Sequence, residues 1–427
     1  MIEVANILVL NRMEIPALKE NAVLLNIETS LDSKQTQENF QNRETLEEEK
    51  RDAIDMITGI CLAGDMTMLN YHISCCLELD DCLISECLHR LPKTFEKYEI
   101  IEFLLSNVKN MNYPYCVFSF LHFACIFDRP LCVRHLLECG ADLNALDTQS
   151  GGHDALYIAS TYGCLDIVKV LCEWVGNVKI PEIRFNIALR TACASGHAEV
   201  VRYLINTGVD VNGFNKTGLL SIAYATMHDY PDIVELLLEK GANANAGLYS
   251  VCLLIYACQR GLESIVKVLL KYGADPNTID YQGRSSLYHT RSIPIMQLLF
   301  DHGADPDLIA LDGFSVLYHT VASVCQGNKC ANIELIIVLL DHGANINLAN
   351  AHTGETPLMV AATTGHIDLV RLLLERGADV TQLNHAGKCV LDMLGWSWTS
   401  LKISYICRQY IDSNKSAPYE QPDILLK

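Results

Sequence analysis

At 427 residues, half of them apolar, the chain has ample material to bury a large core without disulfides or a structural metal to hold it. Its 51 acidic residues against 32 basic ones give a formal charge of −19, which disfavours phosphate-backbone binding because nucleic-acid readers carry a basic face. No apolar run approaches the roughly 20 residues that cross a bilayer, so neither a nucleic-acid partner nor membrane insertion is expected.

The chain opens on "MIEVANILVL", with Glu3 where a secretory signal is positive and no small-residue cleavage site after a four-residue apolar run. Without such a signal, the 18 cysteines read as small buried apolar residues in a reducing compartment. The cytoplasm is the expected location, with the nucleus as the alternative. Residues 1–51 form a polar arm, partly disordered, because "DSKQTQENFQNRETLEEEKRD" from Asp32 to Asp52 has no apolar periodicity. Within it a tail that docks on a partner is the functional alternative.

From residue 52 onward the dominant signal is self-similarity. "IVELLLEKGANAN" from Ile233, "IVKVLLKYGADPN" from Ile265 and "LVRLLLERGADVT" from Leu369 share one frame, and about eleven copies start at 68, 100, 132, 167, 200, 233, 265, 295, 335, 369 and 402, a period near 33. The copies in 52–115 are divergent and read as an N-terminal cap. Residues 116–387 are the regular array, and 388–427 a capping repeat with a tail. Within "GETPLMVAATTGHIDLVRLLLERGAD", Gly354 to Asp379, Thr356 and Pro357 suit a helix start. Leu358, Ala361 and Ala362 then face inward and Gly365 breaks the helix. Leu369, Val370, Leu372 and Leu373 make the apolar face of a second helix, which Gly377 ends. Two short helices cannot bury both faces alone, so copies must stack.

These residues carry a resemblance to the ankyrin repeat family: "TPLMVA" at Thr356, "FLHFAC" at Phe120, "SGHAEVVRYL" at Ser195 and the recurrent "GAD" or "GAN" turns, over roughly residues 52 to 412. The resemblance implies an all-α solenoid of stacked helix-turn-helix units with short β-hairpin connections. It also implies protein binding, without naming a partner, since one fold hosts many functions.

"LYHT" occurs at Leu287 and again at Leu317, and "DHGA" at Asp301 and Asp341. In the repeat frame Leu287 and Leu317 are buried leucines, Tyr288 and Tyr318 hold the family's usual histidine place, and His289 and His319 follow. His302 and His342 lie at the end of a second helix, where a cation is favourable. A metal site would need His289 and His319 to converge with a third ligand, which no spacing demands. "HISCC" near residue 72 is the nearest approach to a ligand cluster, and no C-x-x-C pair exists. No phosphate loop, nucleophile elbow or zinc-protease motif occurs either. The expectation is no catalytic residue, no metal and no cofactor.

Two copies depart from the regular length. The stretch from Gly283 to Gly303 is three residues short between its helices, and "ASVCQGNKCAN", Ala322 to Asn332, adds about seven, in the kind of loop where binding often happens. At the C-terminus "LKISYICRQYI" from Leu401, followed by "YEQPDILLK", resembles in degenerate form the SOCS box that brings Elongin and cullin subunits to a ubiquitin ligase, with Ile403, Cys407 and Ile411 at the contact spacing. The repeat frame instead turns Ile403, Ile406 and Cys407 inward.

The expected function is a non-enzymatic scaffold or adapter that grips a protein on a concave surface, with a ligase substrate-recognition subunit as the alternative. Partner-facing candidates follow from repeat position: Tyr249, Tyr281, Gln282, Arg284 and His352 at hairpin tips, and Thr161, Tyr162, Met227, His228, Gln259 and Arg260 at first-helix ends. "LINTGVDVN", Leu204 to Asn212, resembles the hairpin modified by an asparaginyl hydroxylase, which makes Asn212 a candidate hydroxylation site and that enzyme a candidate partner.

Overall fold

A computed structural model describes residues 50–75, 80–92, 97–110, 112, 119–147, 152–175, 182–213, 219–248, 251–327 and 333–414. The expected arm therefore lies almost wholly outside the described residues, as do the side chains of Cys75 and Cys76, Tyr249, residues 328–332 of the long insertion and the tail after Asn414. The chain divides into two compact units, Met1–Glu78 and Leu79–Lys427. In the first, residues 50–63 and Met66–Cys75 are helical, and Ile57, Cys61 and Leu69 are buried. The Asp65 carboxylate accepts the Met68 amide at 2.9 Å and so caps the second of these helices.

The second unit is a run of helix pairs, from Asp81–Arg90 with Tyr98–Ser106 through Pro357–Thr363 with Ile367–Glu375 to Val390–Met393 with Trp398–Asn414. First helices pack on the first helices of the neighbouring pairs and second helices on second helices. The core is the stripe these faces share, exemplified by Leu358, Ala361, Ala362, Leu369, Val370 and Leu373, all buried, while Leu372 is half-buried. The Thr356 hydroxyl accepts the Met359 amide at 3.3 Å and Pro357 fills the first turn. Asp80, Asp154 and Ser315 cap their helices in the same way.

In six of the pairs the turn between the helices passes through a left-handed residue. It is Gly163, Gly196, Gly261 and Gly365 in four pairs, but Asp128 at φ 53° and Asp229 at φ 59° in two others. Aspartate tolerates this region better than most side chains. After Leu373 the chain turns through Gly377 at φ 92°, and the Ala378 amide returns to the Leu373 carbonyl at 3.0 Å. The connections to the next pair are hairpins: Gly247–Leu248 pairs antiparallel with Val251–Cys252, and bridges join Ile279 to Ser285 and Ile309 to Ser315.

Neighbouring hairpins are tied to one another. Asn112, Asn212, Asn245 and Asn277 each donate Nδ2 to the glycine carbonyl of the next turn, Gly140, Gly241, Gly273 and Gly303, at 3.0–3.3 Å. Their Oδ1 atoms accept the amides of Asp142, Asn243, Asp275 and Asp305. Both irregular lengths are visible. The short copy has a first helix of only four residues, Ser286–His289, whereas the long one extends its first helix to ten, Val316–Cys325.

Candidate functional site

The hairpins of the short and long copies stand side by side. The Leu311 amide donates to the Gln282 carbonyl at 2.9 Å, and the Arg284 guanidinium reaches back to Asp312 Oδ2 at 2.8 Å. Gly283 at φ 74° permits the approach, because a Cβ there would stand 3.0 Å from the Leu311 amide nitrogen. The pattern continues with Ala351 donating to Gly313 and His385 to Thr353, both at 3.0 Å.

This clamping leaves four apolar side chains in solvent: Ile279 (55% exposed), Tyr281 (69%), Ile309 (45%) and Leu311 (73%). Tyr281 was expected at a tip; Ile279, Ile309 and Leu311 were not. Their signal was available, since Leu311 holds the same hairpin place as Tyr281 and Ile309 that of Ile279. An apolar residue beyond the last core position has nothing beneath it to pack on.

Of the other tip candidates, Gln282 is half-buried and His352 is exposed, its Nε2 donating to the Leu311 carbonyl at 3.3 Å. Arg284 is not the free cation expected of a tip. It is held by Asp312 and lies 4.8 Å over the Tyr288 ring. At the first-helix ends Tyr162, His228, Gln259 and Arg260 are exposed, while Met227 and Thr161 are half-buried. Tyr281, Gln282 and Arg284 share one hairpin and His352 lies two hairpins on, beside Leu311, while Gln259 at a first-helix end reaches His289 beneath the tip.

Beneath the exposed ridge the recurrent histidines find their explanation. His289 Nε2 donates to Asp280 Oδ2 at 2.8 Å, and Gln259 Nε2 donates to His289 Nδ1 at 3.1 Å. This pattern assigns the neutral tautomer protonated on Nε2. Burial lowers the His289 pKa, opposed by Asp280. His319 stacks on Tyr288 at 4.3 Å, and burial, with Arg291 and Arg284 nearby, pulls it down to about 4. Burial alone would push the Asp280 carboxyl up, but the Arg284 and Gln282 amides and His289 more than offset it. Tyr318 donates to Glu355 at 3.4 Å and stacks on Phe314. The second-helix histidines behave as caps, His302 and His342 each donating Nδ1 to a carbonyl four residues back at 2.8 Å.

Among the described residues no group of three or more His, Cys, Asp or Glu is arranged to hold a metal ion. Burial raises the thiols of Cys125, Cys164 and Cys193, the second to about 12, which keeps them protonated and unreactive. Asn212 is exposed, yet both ends of its amide are engaged in the ties described above. In the last helix, Ile403 and Cys407 are fully buried, Ile406 and Ile411 half-buried, and Lys402 is exposed where other copies carry an apolar residue. Trp396 and Trp398 stand 94% and 82% exposed at its start.

Family models described as ankyrin repeats in three copies match residues 88–182, 177–247 and 288–384, and a single ankyrin repeat matches 252–281. Among curated proteins, the human palmitoyltransferase ZDHHC17 is 32% identical over 234 residues, 54% of this chain and 36% of that protein. The zebrafish putative palmitoyltransferase ZDHHC13 is 29% identical over 200 residues, 46% and 30% of the two chains. A rice probable E3 ubiquitin-protein ligase, XBOS33, is 29% identical over 217 residues, 48% and 41%. The chain thus spans about a third of the length of these palmitoyltransferases. The crystal structure of the ankyrin repeat domain of Bcl-3 aligns with a TM-score of 0.46 at 26% identity, over 50% of this chain and 96% of that one.

Proposed function

Because the chain belongs to the ankyrin repeat family, we propose that it is a non-enzymatic scaffold that binds a partner protein along its hairpin tips and first-helix ends, on the concave side of the array. The observation that carries this reading is the ridge of Ile279, Tyr281, Ile309 and Leu311, exposed apolar side chains on hairpins fixed by backbone bonds and the Arg284–Asp312 pair. Large apolar residues presented on a rigid frame bind at low entropic cost. The palmitoyltransferase and ligase likenesses each span less than half of those proteins, so their activities form no part of the proposal.

The ligase-subunit alternative has weaker support, since a helix that buries Ile403 and Cys407 against its own array does not offer them to Elongin. Hydroxylation of Asn212 remains a proposal; peptide mass spectrometry of protein from cells that contain the hydroxylase tests it. No helix among the described residues is long and apolar enough to cross a membrane, and a cytoplasmic site of action is part of the proposal.

Proximity labelling followed by pull-down with the full chain tests the scaffold reading. A Tyr281→Ser, Leu311→Ser variant should lose the captured partner while melting as wild type does, since exposed tip substitutions cost within about 0.5 kcal/mol. Retention of every captured partner by that variant, and by a Tyr162→Ala, Arg260→Ala variant, would refute it.

A further inference from the structure

We propose that the ridge formed by Ile279, Tyr281, Ile309 and Leu311 receives a linear peptide segment that carries apolar residues flanked by lysine or arginine. The inference rests on the scaffold reading and names the chemistry of the partner.

Charge is the first argument. The two hairpins, residues 275–285 and 305–315, contain five aspartates and one arginine. The one guanidinium is taken by Asp312, and the ring that meets Asp280 is a neutral histidine, held so by burial. Asp275 and Asp305 are exposed and Asp307 is half-buried. Each is fixed in place by a backbone amide on Oδ1, from Asn277, Asp307 and Asn345 respectively, at 2.8–2.9 Å. The negative charge is therefore anchored on the same two hairpins that carry the apolar side chains. A second copy of this chain would bring like charge against like, in molecules that each carry −19, and an anionic lipid surface would be repelled in the same way. A cationic segment is attracted.

Spacing is the second argument. Neighbouring helix pairs stack about 10 Å apart, the usual interaxial distance, so Tyr281 and Leu311, in equivalent places on adjacent hairpins, are separated by about that much. An extended chain covers this in roughly three residues. The segment that satisfies both side chains at once places its apolar residues three apart, with cations around them to meet the aspartates of the two hairpins.

Three fluorescein-labelled peptides and the full-length chain test this by anisotropy: one with two leucines three residues apart among lysines, a twin with glutamate for lysine, and a twin with serine for leucine. The lysine–leucine peptide should bind, and added salt should weaken it. The glutamate and serine twins should bind at least about tenfold more weakly, as should the first peptide to Tyr281→Ser, Leu311→Ser protein of unchanged melting temperature. An Asp275→Asn, Asp305→Asn, Asp307→Asn variant, which keeps the turn acceptors, should lose most of the salt dependence.

Equal binding of the glutamate twin, absence of binding by the lysine–leucine peptide, or indifference to the Tyr281 and Leu311 substitutions would overturn the proposal. So would concentration-dependent dimers in sedimentation that the double substitution dissolves. If a captured protein partner requires Tyr281 and Leu311 while the lysine–leucine peptide does not bind, only this inference falls and the scaffold reading stands.

Discussion

At the scale of single residues, the array holds several groups whose charged form the fold disfavours. His319, drawn from 6.5 to about 4, and His122 and His289, also lowered, are all pulled down first by burial. For a base with a depressed folded pKa, the unfolded chain takes up protons first as pH falls. Stability is therefore unaffected above about 6.5, declines between 6.5 and about 4, and changes no further from His319 below that. The His319 shift alone corresponds to about 3 kcal/mol. Urea melts at pH 7 and pH 5 should show a lower midpoint at pH 5, and His319→Phe, which keeps a ring against Tyr288, should reduce the difference. A midpoint that rises toward pH 5 would contradict the assignment. The Arg190 guanidinium gives a second test. Its Nη1 is buried without a hydrogen-bond partner and burial lowers its pKa, so Arg190→Met should raise stability by about 1 kcal/mol. Neither effect was readable in the sequence. The repeat frame assigned His289 and His319 their places, but burial depends on Tyr288, Arg284 and Arg291 arriving from the same and adjacent copies.

At the scale of elements, the sequence specified starts and stops well wherever local chemistry decides them. Thr356 with Pro357, and Gly365 and Gly377, mark one complete helix pair, and each does the expected work. Legibility failed where a length change had to be assigned to helix or loop. Ala322 to Asn332 read as a widened turn, yet Ala322 through Cys325 continue the helix because no breaker occurs before Gly327, which takes φ 71°. In the short copy, Pro294 in the first turn of the next helix and only three residues after His289 leave room for a single helical turn. The asparagine ties were also hidden, since their partners lie 26 to 31 residues away. Asn277 exchanges a bond with the Gly303 carbonyl and another with the Asp305 amide. Asn277→Ala should therefore cost about 1 to 2 kcal/mol, read as a lower thermal midpoint, with loss of amide protection at Asp305. An unchanged midpoint would show that water replaces both bonds without loss.

At the scale of the whole array, the main helix contacts among the described residues join neighbouring pairs, so stability is a sum of pair and interface terms and need not be lost all at once. The weakest place follows from geometry. Ser286–His289 is one turn long, and beside it the side-chain atoms Arg284 Nε and Ser285 Oγ are buried without hydrogen-bond partners, each a cost that packing must offset. Leu287, 2% exposed, supplies much of that packing. Leu287→Ala should cost roughly 2 to 5 kcal/mol locally. Hydrogen exchange followed by mass spectrometry should show faster exchange in Leu253–Lys271, Ile293–Asp301 and Val316–Asp341. Phe120–Glu138, several pairs away, should keep its wild-type protection, because the lost interface terms do not reach it. The exposed ridge sits on this same segment, so partner binding would be linked to its order, and a bound segment should slow exchange there by mass action. Uniform acceleration along the array in Leu287→Ala would instead mean that it opens as one cooperative unit, and the ridge could then not be locally loose in a stable array.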